Sequence, residues 1–270
     1  MFLSYVHDLL EKEIPIGHTV HARYQIESLL GKGSYGISYL AWDLIGEQQV
    51  VLKQNRKRKG KRGLRTFTKE AEILKQFNHP SIPRLMDEFK IEKSTFLVME
   101  YKAGKTFEQL IFEDEYVYQE QEVFSILRRI LDIVKTIHYQ NIVHLDLRIP
   151  NIIYRDGQIS VIDFGLAKYL HEKSTRQMRK NPFRNIRVES DFFALGHFAL
   201  FLLYSNFEPD ENSRKRDSWL DELTLSKHAT YMIKRLLQLN SPYSSVDEVI
   251  GDVDNYLKVE HEQGLEKSNL

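Results

Sequence analysis

Gly31-Lys32-Gly33-Ser34-Tyr35-Gly36 and, 22 residues after Gly31, Lys53 are the first residues of this 270-residue chain whose types and spacing suggest chemistry. Glycines carry no Cβ, so their backbone can come close to phosphate oxygens and point amide N–H groups at them. The turn lies between two strand candidates, Tyr24 to Leu30 and Ile37 to Asp43. A dinucleotide-binding turn would instead join a strand to a helix. Alone, the turn reads first as an ordinary hairpin. Lys53 ends a short apolar strand, Val50-Val51-Leu52-Lys53, and a lysine facing a phosphate loop is a candidate phosphate ligand. Further on stand His144-Leu145-Asp146-Leu147-Arg148-Ile149-Pro150-Asn151 and Asp163-Phe164-Gly165. An isolated Asp-Phe-Gly would be a plain turn.

The elements that must position these residues fall into two patterns. From Tyr24 to about Tyr101 short alternating or apolar runs are broken by Gly and polar turns, with one helical stretch between Thr66 and Phe77, which predicts a small antiparallel sheet plus one helix. From Glu120 onward apolar residues recur at helical spacing, as in Val123, Ile126, Leu127, Ile130, Leu131, Val134 and Ile137. The change falls near Lys102-Ala103-Gly104-Lys105. At about 150 residues per domain, one large domain or two packed lobes is expected. Cys is absent, which excludes disulfides, thiolate nucleophiles and zinc-finger ligation and fits a reducing cytoplasm. The 38 basic and 38 acidic residues cancel, so attraction to nucleic acid or membrane needs a local patch. Phe192 to Tyr204, 13 uncharged and mostly apolar residues, falls short of the ~20 of a membrane span and reads as a core helix. Residues 1–16 read as a short amphipathic helix with no secretory signal.

Glycine loop, strand lysine, His-x-Asp-x-x-x-x-Asn and Asp-Phe-Gly occur here in the order of the protein-kinase signature set. The chain resembles the eukaryotic-like (Hanks-type) serine/threonine protein kinases, in a small soluble bacterial form, from about Gly17 to Tyr256. The resemblance implies an α+β, protein-kinase-like two-lobe fold, with a small antiparallel sheet lobe over 17–101, a larger mostly helical lobe over 102–258, and a polar tail over 259–270. It further implies ATP and Mg²⁺ as cofactors and transfer of the γ-phosphate to a protein hydroxyl, a reaction that rests on positioning and charge neutralisation. In that reading Gly31, Gly33, Ser34 and Gly36 cover the phosphates. Lys53 holds two of them and is fixed by Glu70, preferred over Glu72 because it projects from the Phe67, Ala71, Leu74 and Phe77 stripe. Asp146 accepts the hydroxyl proton, Arg148 supplies a cation beside it, and Asn151 and Asp163 bind the metal. Val51, Met99, Glu100, Tyr101 and Ile153 line the adenine pocket, with Ser38 where a valine is usual and Val51 where an alanine is usual. Leu74, His144 and Phe164 would stack as an internal spine.

The sequence departs from that family in two places. Leu145 replaces the arginine usual before the catalytic aspartate, which implies that no activation-loop phosphate is received there; Ser174 and Thr175 are then ordinary loop residues. Only 25 residues separate Gly165 from Asp191, Ala-Pro-Glu is missing, and Asn240 to Ser245 lacks the arginine that would pair with it. The activation segment is therefore shortened, and both partners of one ion pair are gone together. Leu166 to Ser190 carries seven basic residues and two glutamates, which favours acidic or already phosphorylated acceptors. Arg56 to Arg65, with seven charges in ten residues and no acid, reads either as a solvated loop or as a docking patch for a polyanion, acidic protein or membrane surface. A small-molecule phosphotransferase and a non-catalytic pseudokinase are the alternative readings. The first is disfavoured by the glycine loop with Asp-Phe-Gly, the second by retention of Lys53, Glu70, Asp146, Asn151 and Asp163 together.

Overall fold

The computed structural model describes residues 13–33, 36–56, 60–92, 94–207 and 218–268. The chain divides into two compact units, one reaching to Ala103 and including Phe164–Leu166, the other formed by Gly104–Asp163 and the chain from Ala167. Most of the amphipathic helix expected over 1–16, and Ser34 of the glycine turn, lie outside the described residues.

The first unit is a six-stranded antiparallel sheet with one helix. Its strands are β1 (Thr19–Val20), β2 (Tyr24–Lys32), β3 (Gly36–Asp43), β4 (Gln48–Asn55), β5 (Leu85–Ile91) and β6 (Ser94–Glu100), in spatial order β1-β2-β3-β4-β6-β5. Side chains alternate across a strand, and the two faces differ. Ile37, Tyr39, Ala41, Val50, Leu52, Phe96 and Val98 form the core on one face. Leu97, on the other, packs with Phe67 and Ala71 of helix α1 (Gly60–Leu74). Lys53 lies opposite Leu97 and Ser38 in the register, so it belongs to the face that α1 covers.

Two sequence boundaries are corrected here. β2 and β3 run into the glycine turn, with Gly31 opposite Ser38, and β4 continues two residues beyond Lys53, which therefore sits inside its strand. Helix α1 begins at Gly60, six residues before the start expected at Thr66. Its first turns carry Lys and Arg, good helix formers that leave no apolar periodicity to read. The basic segment is accordingly not a ten-residue solvated loop. Arg56 is buried, Gly60–Arg65 is helical, and residues 57–59 lie outside the described residues.

In the second unit, α2 (Phe107–Phe112) opens with a capping box in which Thr106 and Gln109 exchange backbone-to-side-chain hydrogen bonds of 3.1 Å. The long helices α3 (Glu120–Tyr139) and α5 (Val188–Tyr204) bury most of their apolar residues; between them in the chain come four short strands and the four-residue α4 (Arg176–Arg179), and a fifth short strand precedes α2. Strand β7 (Lys105–Thr106) pairs with β9 (Ile152–Arg155), β9 with β10 (Gln158–Val161), and β8 (Ile142–Val143) with β11 (Lys168–Tyr169). The helices α6 (Trp219–Glu222), α7 (Lys227–Leu236) and α8 (Val246–Ser268) follow. The tail predicted from residue 259 instead continues α8, because Val249, Val253 and Tyr256 anchor one side of that helix and polar residues simply extend it. No described helix is long and apolar enough to cross a membrane.

Gly104 shows how tightly the start of this unit is built. Its φ is +135°, and a Cβ there would lie 2.6 Å from the Tyr154 carbonyl oxygen and 2.8 Å from Ile153. Gly104→Ala should therefore destabilise the unit by about 1–3 kcal/mol, from overpacking and backbone strain together. Denaturant unfolding of the two proteins measures the difference.

Candidate functional site

In the first unit the Lys53 Nζ lies 2.6 and 2.8 Å from the two carboxylate oxygens of Glu70. Both side chains are buried, while Glu72 is exposed. The pair forms because α1 packs Phe67 and Ala71 on the Leu97 face of the sheet, which carries Lys53, and Glu70 rises from that same helical stripe. A Cβ at Gly36 would come within 3.1 to 3.2 Å of the Lys53 stem and the Gln54 carbonyl. Glycine there leaves the lysine stem unobstructed.

Val51 shares the Lys53 face and lies opposite Leu40 and Met99. Glu100 is clamped by Lys102 at 2.7 Å and by Arg84, and Lys102 also donates to the Pro80 carbonyl. Burial pushes the Glu100 carboxyl up, but these donors outweigh it and hold it below its ordinary value. The segment Met99 to Lys102 is thereby fixed. Phe164 meets Phe77 at 5.5 Å between ring centroids.

In the second unit the carboxylate of Asp146 is surrounded by donors. Asn151 Nδ2 reaches Oδ2 at 2.8 Å, Arg148 is bidentate at 2.8 and 3.2 Å, and Arg184 Nη2 stands 3.7 Å from Oδ1. Asn151 also donates to the Asp146 carbonyl at 3.0 Å. Both bonds use its amide nitrogen and leave the Asn151 side-chain oxygen as an acceptor. Among the described residues no group of three or more His, Cys, Asp or Glu could hold a metal. Asn151 and Asp163 each carry a hard side-chain oxygen, the donor type that Mg²⁺ takes together with phosphates. Ile153 is buried in β9, two residues after Asn151.

The loop carrying Asp146 is held from beneath by Asp191 of α5. Its fully buried carboxylate accepts from His138 Nε2 at 2.8 Å, the His144 amide at 2.9 Å and the Leu145 amide at 2.7 Å. Burial raises the carboxyl, yet His138 and the amides outweigh it and the net shift is downward. Burial pushes the His144 imidazole down, towards its neutral form. Leu145 adopts φ +61°, a conformation that costs a non-glycine residue about 1–2 kcal/mol. Its amide bonds Asp191 and its carbonyl accepts from Arg184 Nη1 at 2.9 Å, so both polar groups of the strained residue are satisfied.

The pattern of the protein kinase domain matches residues 24–245. The chain belongs to the protein kinase family. It is 34% identical over 252 residues to the probable serine/threonine-protein kinase YbdM of Bacillus subtilis, covering 93% of this chain and 95% of that protein. It is also 30% identical over 266 residues to the serine/threonine-protein kinase B of Synechocystis sp., covering 86% of this chain but 46% of that protein. Calcium-dependent protein kinase 24 of Arabidopsis thaliana is 26% identical over 274 residues, covering 87% of this chain and 45% of that protein. These likenesses make the chain a Hanks-type protein serine/threonine kinase with the α+β architecture of that family.

Within this kinase the short segment after Asp-Phe-Gly is fastened by Ser174 and Thr175, which the sequence read as ordinary loop residues, and by Arg187 and Gln238, which it did not single out. Ser174 Oγ accepts from the Ile186 amide at 2.8 Å, the Ser174 carbonyl accepts from Arg179 at 2.7 Å, and Thr175 caps α4. At its far end Arg187 donates to Gln238 Oε1 at 2.9 Å, and Gln238 Nε2 donates to the Glu189 carbonyl at 3.1 Å. Neutral Gln238 thus anchors the segment where no Ala-Pro-Glu ion pair exists. Arg235 stacks on Tyr243 at 3.8 Å and pairs with Asp252 and Glu248. Arg184, Gln238 and His138 carry no spacing signal, because their partners are backbone atoms or residues 39 to 53 positions away.

Asp191→Leu would strand three buried donors and should cost about 3–5 kcal/mol in denaturant unfolding. Because the native carboxyl is depressed, the stability it contributes is present above its ordinary pKa of about 3.9 and is lost as pH falls through the lower folded value. The variant should lack that part of the acid transition.

Proposed function

We propose that this kinase transfers the γ-phosphate of ATP, with Mg²⁺, to a serine or threonine hydroxyl of a protein acceptor. The carrying observation is the Lys53–Glu70 pair, with oxygens as close as 2.6 Å and both side chains removed from water. Burying such a pair is a weak route to stability, since desolvation offsets the attraction. A lysine held charged and straight beside glycines is instead what binding of phosphate asks for.

In this reading Gly31, Gly33, Ser34 and Gly36 present backbone to the phosphates and Lys53 neutralises two of them. Val51, Met99, Glu100, Tyr101 and Ile153 receive the adenine. Asn151 and Asp163 hold Mg²⁺, which neutralises phosphate charge during transfer. Asp146 takes the proton of the acceptor hydroxyl. Asn151 fixes one of its oxygens at 2.8 Å, and Arg148 keeps a cation beside the other. Leu145 makes this a kinase without the usual arginine before its catalytic aspartate, and the segment of 25 residues between Gly165 and Asp191 is a shortened activation segment. Lys173, Arg176 and Lys180 are exposed there and form no ion pair among the described residues, which supports an acidic or already phosphorylated acceptor. No such support attaches to Arg56–Arg65, since Arg56 is buried and the described remainder is helical.

Transfer of labelled γ-phosphate from Mg-ATP to a generic acidic protein tests the reading. Lys53→Met should lower the rate by about a hundredfold or more while the fold persists, and Asp163→Asn should abolish Mg²⁺-dependent transfer. Unaltered rates in either variant would remove the proposal.

A further inference from the structure

Arg184 belongs to the segment between Gly165 and Asp191, yet its guanidinium is spent on the catalytic loop: Nη1 donates to the Leu145 carbonyl at 2.9 Å and Nη2 lies 3.7 Å from Asp146 Oδ1. The neighbouring Phe183 points the segment's other anchor at α5, packing edge-on against Phe193 at 4.7 Å and beside His197 at 5.0 Å. The Phe183 amide donates to Asn181 Oδ1 at 2.9 Å and the Arg184 amide to the Asn181 carbonyl at 2.9 Å, so a tight turn fixes the two side chains relative to each other. Asp191 of α5 then closes the circuit by holding the Leu145 amide at 2.7 Å. Helix, loop and segment form one ring of contacts, and each side of the strained Leu145 peptide is gripped by a different member of it.

We propose that Arg184 is a positioning residue that locks the segment to the catalytic loop and sets the Asp146 carboxylate from within the segment, so that turnover needs no phosphate on the segment. The cation that a loop phosphate would otherwise organise is already supplied beside Asp146, and it comes from the segment itself. Ser174 and Thr175 fit the same design, being occupied as acceptor and cap. This inference rests on the assignment of Asp146 as the proton acceptor.

The test is steady-state transfer from Mg-ATP by the full chain, before and after phosphatase treatment, with Arg184→Ala, Arg184→Lys and Asp146→Asn measured in parallel. Arg184→Ala should lower kcat at least tenfold with the KM for ATP within twofold, and trypsin should cut faster after Lys173, Arg176 or Lys180. Arg184→Lys, which keeps a cation and a donor, should recover at least a third of the kcat. Phosphatase treatment should leave the unaltered chain's kcat within twofold. Should Arg184→Ala not fold, Arg184→Gln takes its place with the same expected loss. A kcat within twofold in the Ala or Gln variant, a Lys variant no better than Ala, a KM for ATP that rises in step with the loss, or a tenfold fall on phosphatase treatment would overturn the inference. Transfer that survives in Asp146→Asn would remove the assignment of Asp146 and this inference with it. Transfer lost in Asp146→Asn but indifferent to Arg184 overturns the inference alone.

Discussion

A carboxylate wholly removed from water, Asp191, organises the catalytic loop of this kinase. Taking such an ion out of solvent costs several kcal/mol, and the cost is tolerated only where good donors replace the water. Here three do, at 2.7 to 2.9 Å, and two of them are the successive amides of His144 and Leu145. Those amides immediately precede Asp146, so the buried charge acts directly on the backbone that leads into Asp146. It also accounts for a leucine at φ +61°. The surrounding hydrogen bonds over-determine a conformation that the residue would otherwise avoid.

The first unit uses the same physics on a lysine. Lys53 and Glu70 are both buried and oppositely charged, and the helix that brings Glu70 is seated by Phe67 and Ala71 against Leu97. Packing of three apolar residues thus decides where a charge stands. Each unit therefore contains a buried charge network whose geometry is well defined by the groups packed around it, the arrangement expected where electrostatics serve a reaction as well as the fold.

Much of this was readable from sequence because it leaves periodic traces. Alternation marked the strands, the Phe67 to Phe77 stripe singled out Glu70 over Glu72, and the apolar spacing of α3 marked a buried helix. The early start of α1 was hidden because Lys and Arg support a helix without adding to an apolar stripe. The continuation of β4 past Lys53 was hidden because Gln54 and Asn55 look like a turn until their ladder partners are known. α8 swallowed the supposed tail for a similar reason. Arg184 and Gln238 were invisible for a different one. Both grip main-chain atoms, and a backbone carbonyl has no residue type by which a sequence could announce the contact.

The most direct test of the account is to measure Mg-ATP affinity and γ-phosphate transfer together in the Asp146→Asn variant. The loop geometry predicts that Mg-ATP binds with unchanged affinity while transfer to a protein hydroxyl falls by about 10²- to 10⁴-fold, the range for losing a positioned general base. Transfer at the unaltered rate, with binding intact, would contradict it.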